Sequence, residues 1–391
     1  MKPIMGYKRS DGQYGIRNKI LVIATVGCAN ETARRLAERI AGTVFIPAGK
    51  GCGQIGDAVE ITKRTLTGFV LNPNVYGAVF VGLGCETIQP HEMVARVQKV
   101  SDKPVYSFSI QEEGGTTKTI ATVVPLLERL VGAAARIVRE PVELSALTLA
   151  TNCGGSDATS GLSVNPALGV ATELLVTAGG RSILGETTEL IGTEHILIRR
   201  AKNQQVKRDI QTIIGGLEKQ FERLQVDIRG ANPSPGNQKG GLTTLEEKSL
   251  GAIMKAGHAT INQVVKYGEI ATEKGLIIMD TPGYDIESVT GMVAGGAQIC
   301  VFTTGRGTPI GNPIVPMIKI TGNHETYQRI TEHMDLELSA IITGEMSIKE
   351  GGERILSEMI AVANGKRTAA EKLGFQELAI YRNNEVWGCD L

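Results

Sequence analysis

The sequence predicts an α/β protein made of two doubly wound parallel-sheet domains with helices on both faces. Runs rich in Val and Ile end in glycine-containing turns, stretches of helical period follow those turns, and the cycle repeats along the chain. The runs are continuous rather than alternating, as in strands buried on both faces, and strand alternating with helix requires parallel crossovers. The length, 391 residues, exceeds a typical domain of roughly 100–200 residues.

Residues 19–26 (KILVIATV) read as a strand, then GCAN, then a helix from Glu31 with Ala33, Leu36, Ala37 and Ile40 on one face. Residues 44–46 lead through AGKGCGQIGD into a helix ending near Leu71, and residues 77–83 lead through GCETIQP into a helix through Val97. A strand at 104–110 and a helix at 117–138 complete a first domain, residues 1–140. After REPVELS the order restarts in a second domain, 141–391: strand 147–150, loop TNCGGSD, helix 166–177, strand 181–184 and a charged helical stretch over 192–225. NPSPGNQKGG (232–241) is too rich in Pro, Gly and Asn for either element and predicts a shaped loop. Strands at 275–279, 297–303 and 316–320 and a helix at 347–364 follow.

Composition narrows the function. Lys and Arg (41) balance Asp and Glu (41), so the positive footprint of nucleic-acid binding is missing. The longest apolar stretch, 20–29, falls far short of the ~20 residues that span a bilayer. The N-terminus carries no apolar export signal, so a cytoplasmic enzyme is expected, with six cysteines acting as buried, catalytic or metal-binding thiols. Glycine makes up 48 residues, about 12% against a usual ~7%, and implies many tight turns.

The polar clusters fall in the turns after strands. Cys28, Cys52, Cys85 and Cys153 each follow a predicted strand, and in an open parallel sheet ligands bind at that edge. Each cysteine alone reads more readily as a small buried residue, and only their recurrence in one structural context brings iron or an iron–sulfur cluster level with that reading. Cys300, within ICVF, reads as core, and Cys389 as incidental. TTGRGTPIGNP (303–313) offers backbone N–H groups and the planar fork of Arg306 for a carboxylate. GETTELIGTEH (185–195) offers Glu186, Glu189, Glu194 and His195 for proton transfer or metal ligation. Neither a Walker A nor a GxGxxG pattern is met.

In this order, GYKRSDGQYGIRN, TVGC, GCGQIGD, NPNVYGAVFVGLGCE, CGGSDATSGLSVNPALG, NPSPGNQKGGLTTLEEKSLG, DTPGYD, FTTGRGTPIGNP and ANGKRTAAEKLGFQELAIYR resemble the altronate and galactarate dehydratase family over nearly the whole chain. The resemblance implies a lyase that removes water from a sugar acid to give a 2-keto-3-deoxy acid, with Fe(2+) or an iron–sulfur cluster, or Mn(2+), as cofactor. Full-length members begin with a small β-rich SAF domain, whereas this sequence starts at GYKR, so a separate small SAF-type subunit and an oligomer are expected. Members often carry His four residues before Cys52, where this chain has Ala48. The related sulfolactate sulfo-lyase large subunits share the CGGSD-like, GETTE, GGLTT and GNP regions; the early cysteine turns and TPGYD place this chain with the dehydratases. A non-catalytic sugar-acid-binding subunit is a further reading.

For such a reaction the expected metal ligands are Cys52, Cys85 and Cys153, with Glu86 and Asp157 beside them. Glu186 and His195 are the expected base and acid. Arg17, Asn18, Asn237, Lys239, Thr304, Arg306 and Asn312 are expected to hold the polyhydroxy acid.

Overall fold

The protein is described by a computed structural model covering residues 3–382. Near the N-terminus β1 (Ile4–Lys8) pairs antiparallel with β2 (Tyr14–Gly15). There follow β3 (Lys19–Ala24), α1 (Asn30–Arg39), β4 (Thr43–Ile46), α2 (Asp57–Leu71), β5 (Val75–Gly82), α3 (Pro90–Gln98), β6 (Val105–Ser109) and α4 (Thr116–Ala135). β3 to β6 form a parallel sheet in the order β4-β3-β5-β6. Its two-residue period distributes the core: Ile20 and Val22 pack with Leu36 of α1 and Leu127 of α4, while Leu21 and Ile23 face Phe69 of α2 and Met93 of α3. Helices therefore cover both faces. β7 (Glu140–Val142) returns to pair antiparallel with β1. The continuous-run pattern missed this three-stranded sheet because its strands are short and half-exposed.

The second unit opens with β8 (Thr148–Cys153), α5 (Asn165–Thr177) and β9 (Arg181–Leu184). Five helices follow: α6 (Glu194–Arg199), α7 (Gln204–Arg223), α8 (Ile228–Ala231), α9 (Pro235–Lys239) and α10 (Leu245–Ile253). Next come β10 (Ile261–Val265), β11 (Gly275–Met279), α11 (Asp285–Ala294), β12 (Ile299–Thr304) and β13 (Met317–Thr321). The described chain ends with α12 (His324–Arg329), β14 (Leu336–Glu337), α13 (Ile348–Ala363) and α14 (Ala369–Leu373). The seven strands run parallel in the order β10-β11-β9-β8-β12-β13-β14. The chain starts at β8, lays β9, the edge strand β10 and then the intervening β11 on one side, and crosses to build the other from β12, so β8 marks the switch where open sheets bind ligands.

The two units share one core. α2 lies against α11 so closely that a Cβ on Gly68 would fall 2.3 Å from the Ala294 carbonyl oxygen. Asn72 Nδ2 donates to the carbonyls of Val293 (2.9 Å) and Ala297 (2.7 Å), and Asn74 Nδ2 donates to Gln298 O (2.8 Å). The buried amides of NPN thus stitch the units together with their hydrogen-bonding capacity used. Cys300 is fully buried in β12, as ICVF predicts, and Cys389 lies outside the described residues. Among the described residues no helix is long and apolar enough to cross a membrane.

Candidate active site

The site is built where β8, β9, β11 and β12 end. Cys153 closes β8 and is buried. Just past β9, Glu186 adopts φ 66°, a left-handed conformation that costs a non-glycine residue ~1–3 kcal/mol and persists only where its surroundings enforce it. Here they do. Its N–H donates to Thr281 Oγ1 (2.6 Å), and its Oε2 accepts from the Cys153 N–H (3.1 Å). The single turn that follows brings Glu189 back over Cys153, whose thiol donates to Glu189 Oε2 (3.3 Å).

Two lysines meet these acids. Lys255, just past α10 and fully buried, donates to Cys153 Sγ (2.8 Å) and to the Glu186 carboxylate. Lys248, on α10, pairs with Glu189 Oε1 (2.7 Å). They are seven residues apart, two helical turns, and so share one side of that segment. Burial, together with Glu186 and Glu189, keeps the Cys153 thiol well above its usual range, so it is a protonated donor. Burial also raises Glu186, to about 8, against the pull of Lys255. Burial would lower Lys255, but Cys153, Glu186 and Glu189 outweigh it and hold the ammonium charged. Glu186 Oε1 is buried without a hydrogen-bond partner.

Above this network lies a cleft of about 620 Å³, walled by Cys153, Glu189, Asn237, Lys248, Asp285 and Arg306 among others. Asp285 opens α11, and its Oδ1 accepts from Asn152 Nδ2 (3.0 Å). Burial, then repulsion from Glu189, raises its carboxyl to about 7. A Cβ on Gly154 would strike that carboxyl at 2.2 Å, so glycine leaves it space. Arg306 donates to Gly236 O (2.9 Å) and is otherwise exposed. The segment expected to be a loop at 232–241 contains α9, closed by a capping box between Ser234 and Asn237, and Asn237 Nδ2 reaches Ser156 O (2.9 Å).

Of the residues expected from sequence, the cleft therefore gathers Cys153, Asn237 and Arg306, with Glu186 directly behind Cys153. Others serve the fold. Arg17 pairs with Glu371 (2.7 Å) and donates to the carbonyls of Val362 and Lys366. Asn18 links Arg9 to Ala134 O, Thr304 Oγ1 accepts from the Gly307 N–H, and Asn312 Oδ1 caps Ile314 and Val315. Asp157 is engaged by Thr159, Ser160 and Asn323. Lys239 is exposed and off the cleft wall, as is His195 on α6. Cys52, Cys85 and Glu86 belong to the rim of the other sheet, where Glu86 accepts from Thr25, Leu83 and Gly84. No three of Cys52, Cys85, Cys153, Glu86 and Asp157 bring ligand atoms within 4.8 Å of one another, so they do not form a single-ion site as they stand.

The sequence reading missed Lys248, Lys255 and Asp285. Two lysines two turns apart, one inside the apolar run LGAIMKAG, and the acid of TPGYD after a strand were the available signals.

A family model described as D-galactarate/altronate dehydratase, C-terminal, matches residues 144–386, and the second-domain model of D-galactarate dehydratase/altronate hydrolase matches residues 6–135. The chain belongs to the D-galactarate/altronate dehydratase family. An altronate dehydratase from Bacillus subtilis is 35% identical over 388 residues, covering 97% of this chain and 77% of that protein. A galactarate dehydratase (L-threo-forming) from Escherichia coli is 35% identical over 397 residues, covering 96% and 76%. The beta subunit of a (2R)-sulfolactate sulfo-lyase from Chromohalobacter salexigens is 35% identical over 383 residues, covering 97% of both chains.

For this dehydratase-family chain a metal ion is the natural cofactor to test against the cleft. Cys153, Glu186 and Glu189 are the one group of three among the described residues with ligand atoms within 4.8 Å of one another. The group does not fit a metal ion as arranged. Lys255 already donates to the sulfur and to Glu186, and Lys248 to Glu189. A divalent ion roughly 4 Å from either ammonium would meet about 8 kcal/mol of repulsion at an effective dielectric of 20. Lys255, with no exposed surface, has no solvent to retreat into.

Proposed function

We propose that this chain is a sugar-acid dehydratase that removes water from a polyhydroxy acid in the cleft above Cys153, giving a 2-keto-3-deoxy acid. The observation that carries the reading is Asp285, a carboxyl poised near pH 7, on the same cleft wall as the cations of Lys248 and Arg306. Loss of water requires removal of the proton on the carbon beside the carboxylate, which leaves a dianionic enolate. The neighbouring C–O bond then breaks, and the departing hydroxyl needs a proton.

Ionised Asp285 takes the first proton and, once protonated, returns it to the leaving hydroxyl; the enol product then tautomerises to the ketone. The fork of Arg306 grips the substrate carboxylate. Lys248, kept charged because Glu189 outweighs its burial, supplies positive charge where the enolate forms. Lys255 and Glu186 hold Cys153 and, through its thiol, Glu189 in place from below.

The test is turnover of altronate and galactarate by the wild type and by Asp285→Asn, with the keto-deoxy acid measured directly. Product from the wild type and at least a hundredfold less from the variant is expected; equal rates would reject the assignment. The end-to-end match to a sulfo-lyase subunit favours a second reading, the same proton removal followed by expulsion of sulfite. Sulfite from sulfolactate, with no hexonate consumed, would select it. The word subunit in that relative's name supports assay both alone and with a small companion chain.

A further inference from the structure

We propose that a small cavity at the joint of the two units binds one phosphate group, either the free ion or the head of a small ester. The cavity, of about 170 Å³, is lined by Lys19, Asn312, Ile314, Arg367 and Glu371 among others. Lys19 opens β3, residues 312–315 lead into β13, and Arg367 precedes α14, which carries Glu371. The cavity therefore lies where strands begin, at the edge opposite the catalytic cleft, and each unit supplies part of its wall. Asn74 ties those walls together: its Oδ1 accepts from the N–H groups of Ile16 (2.9 Å) and Arg17 (3.2 Å), and its Nδ2 donates to Ile314 O (3.3 Å).

Charge and donor count point to an oxyanion. Glu371 is the one acid lining the cavity among the described residues, and its oxygens are already engaged. Oε1 accepts from Arg17 Nε (2.7 Å), and Oε2 accepts from Arg17 Nη2 (2.8 Å) and the Thr368 N–H (3.0 Å). Arg17 thus matches Glu371 through a bidentate fork, which leaves the charges of Lys19 and Arg367 over. Among the described residues Lys19 Nζ has no hydrogen bond or ion pair, and Arg367 donates to the neutral backbone carbonyl of Glu371. Burial lowers the Lys19 ammonium from its usual range; Glu371 pulls it up, and Arg17 and Arg367 repel it. An anion beside it would relieve that repulsion. Asn312 adds a neutral donor. Its Oδ1 accepts from the N–H groups of Ile314 (2.9 Å) and Val315 (3.2 Å), which fixes the amide, and its Nδ2 is buried with no hydrogen-bond partner. A bound oxygen would remove the penalty of that unmade bond. The volume is below the ~300–1,000 Å³ of cavities that enclose larger ligands, so it suits one anionic group with little attached.

The test is calorimetric titration and thermal unfolding of the full chain with inorganic phosphate and with glycerol phosphate, against sodium chloride at matched ionic strength. One phosphate per chain is expected, raising the unfolding midpoint by about 2 °C or more at saturation, with no such rise in chloride. Tighter binding of inorganic phosphate identifies the free ion as the ligand, and tighter binding of the ester identifies the ester. Lys19→Gln and Arg367→Gln are each expected to weaken phosphate at least tenfold, and Asn312→Asp, which adds a carboxylate to the wall, to abolish binding. No binding, an equal effect of chloride, or full affinity in either glutamine variant would overturn the proposal. If Lys19→Gln misfolds by circular dichroism, Arg367→Gln decides, because that side chain is exposed. Turnover enters none of these readouts, so the result stands apart from the dehydratase reading.

Discussion

The two large sheets end in rims of opposite character. The seven-stranded sheet sets its thiol, carboxylates and one lysine out of water, with each ammonium already matched to acids. The four-stranded sheet places three thiols in the open on turns held by backbone hydrogen bonds. Both arise from the same strand–turn–helix pattern, so topology alone does not assign chemistry. Burial separates the two: out of water a charge must find a partner, whereas an exposed thiol remains free to meet a ligand from solution.

The sharpest way to test that contrast is to remove one charge from the buried network. Lys255→Met leaves Glu186 facing Cys153 without its cation, and a loss of about 3–5 kcal/mol is expected in urea unfolding. Cys52→Ser, on the exposed rim, is expected to change the metal-free protein by no more than about 0.5 kcal/mol. Similar losses in the two variants would erase the distinction.

The pH dependence sharpens it further. Asp285 must be ionised to take a proton, so kcat/KM should rise through about pH 7, and Asp285→Asn should remove that limb along with most of the rate. A stability effect of defined sign accompanies it. The folded carboxyl titrates above its unfolded value, so its contribution is full below about pH 4 and is lost as pH rises through about 7. A profile flat across neutrality would remove Asp285 from the chemistry.

Arg306→Lys exchanges a planar fork for a point charge and should raise KM about tenfold, near 1.4 kcal/mol, with kcat little changed. The smallest effect is expected at His195, exposed on α6 and away from the cleft wall, where His195→Ala should leave turnover and unfolding within error.

Strands, their parallel direction and the loops that matter were legible because doubly buried strands and glycine turns leave strong local patterns. TNCGGSD, GETTE and TTGRG all border the site. Partner choice was not legible. Glu86 and Asp157 have the residue type of ligands, but their carboxylates are engaged by nearby hydroxyl, amide and backbone N–H groups. Arg17 has the fork of a substrate clamp and instead pins Glu371, 354 residues along the chain. Conversely, Lys255 lies within an apolar run that reads as plain core, and only the fold brings it to Cys153 from 102 residues away. Sequence identifies which residues can do chemistry, whereas burial and long-range pairing decide which remain available for it.

The most direct test of the central claim is a crystal structure of the full chain soaked with altronate. The acid is expected in the 620 Å³ cleft, its carboxylate on Arg306 and its carbon chain beside Asp285 and Lys248. An altronate molecule bound at the turns of Cys52 and Cys85, with that cleft empty, would contradict it.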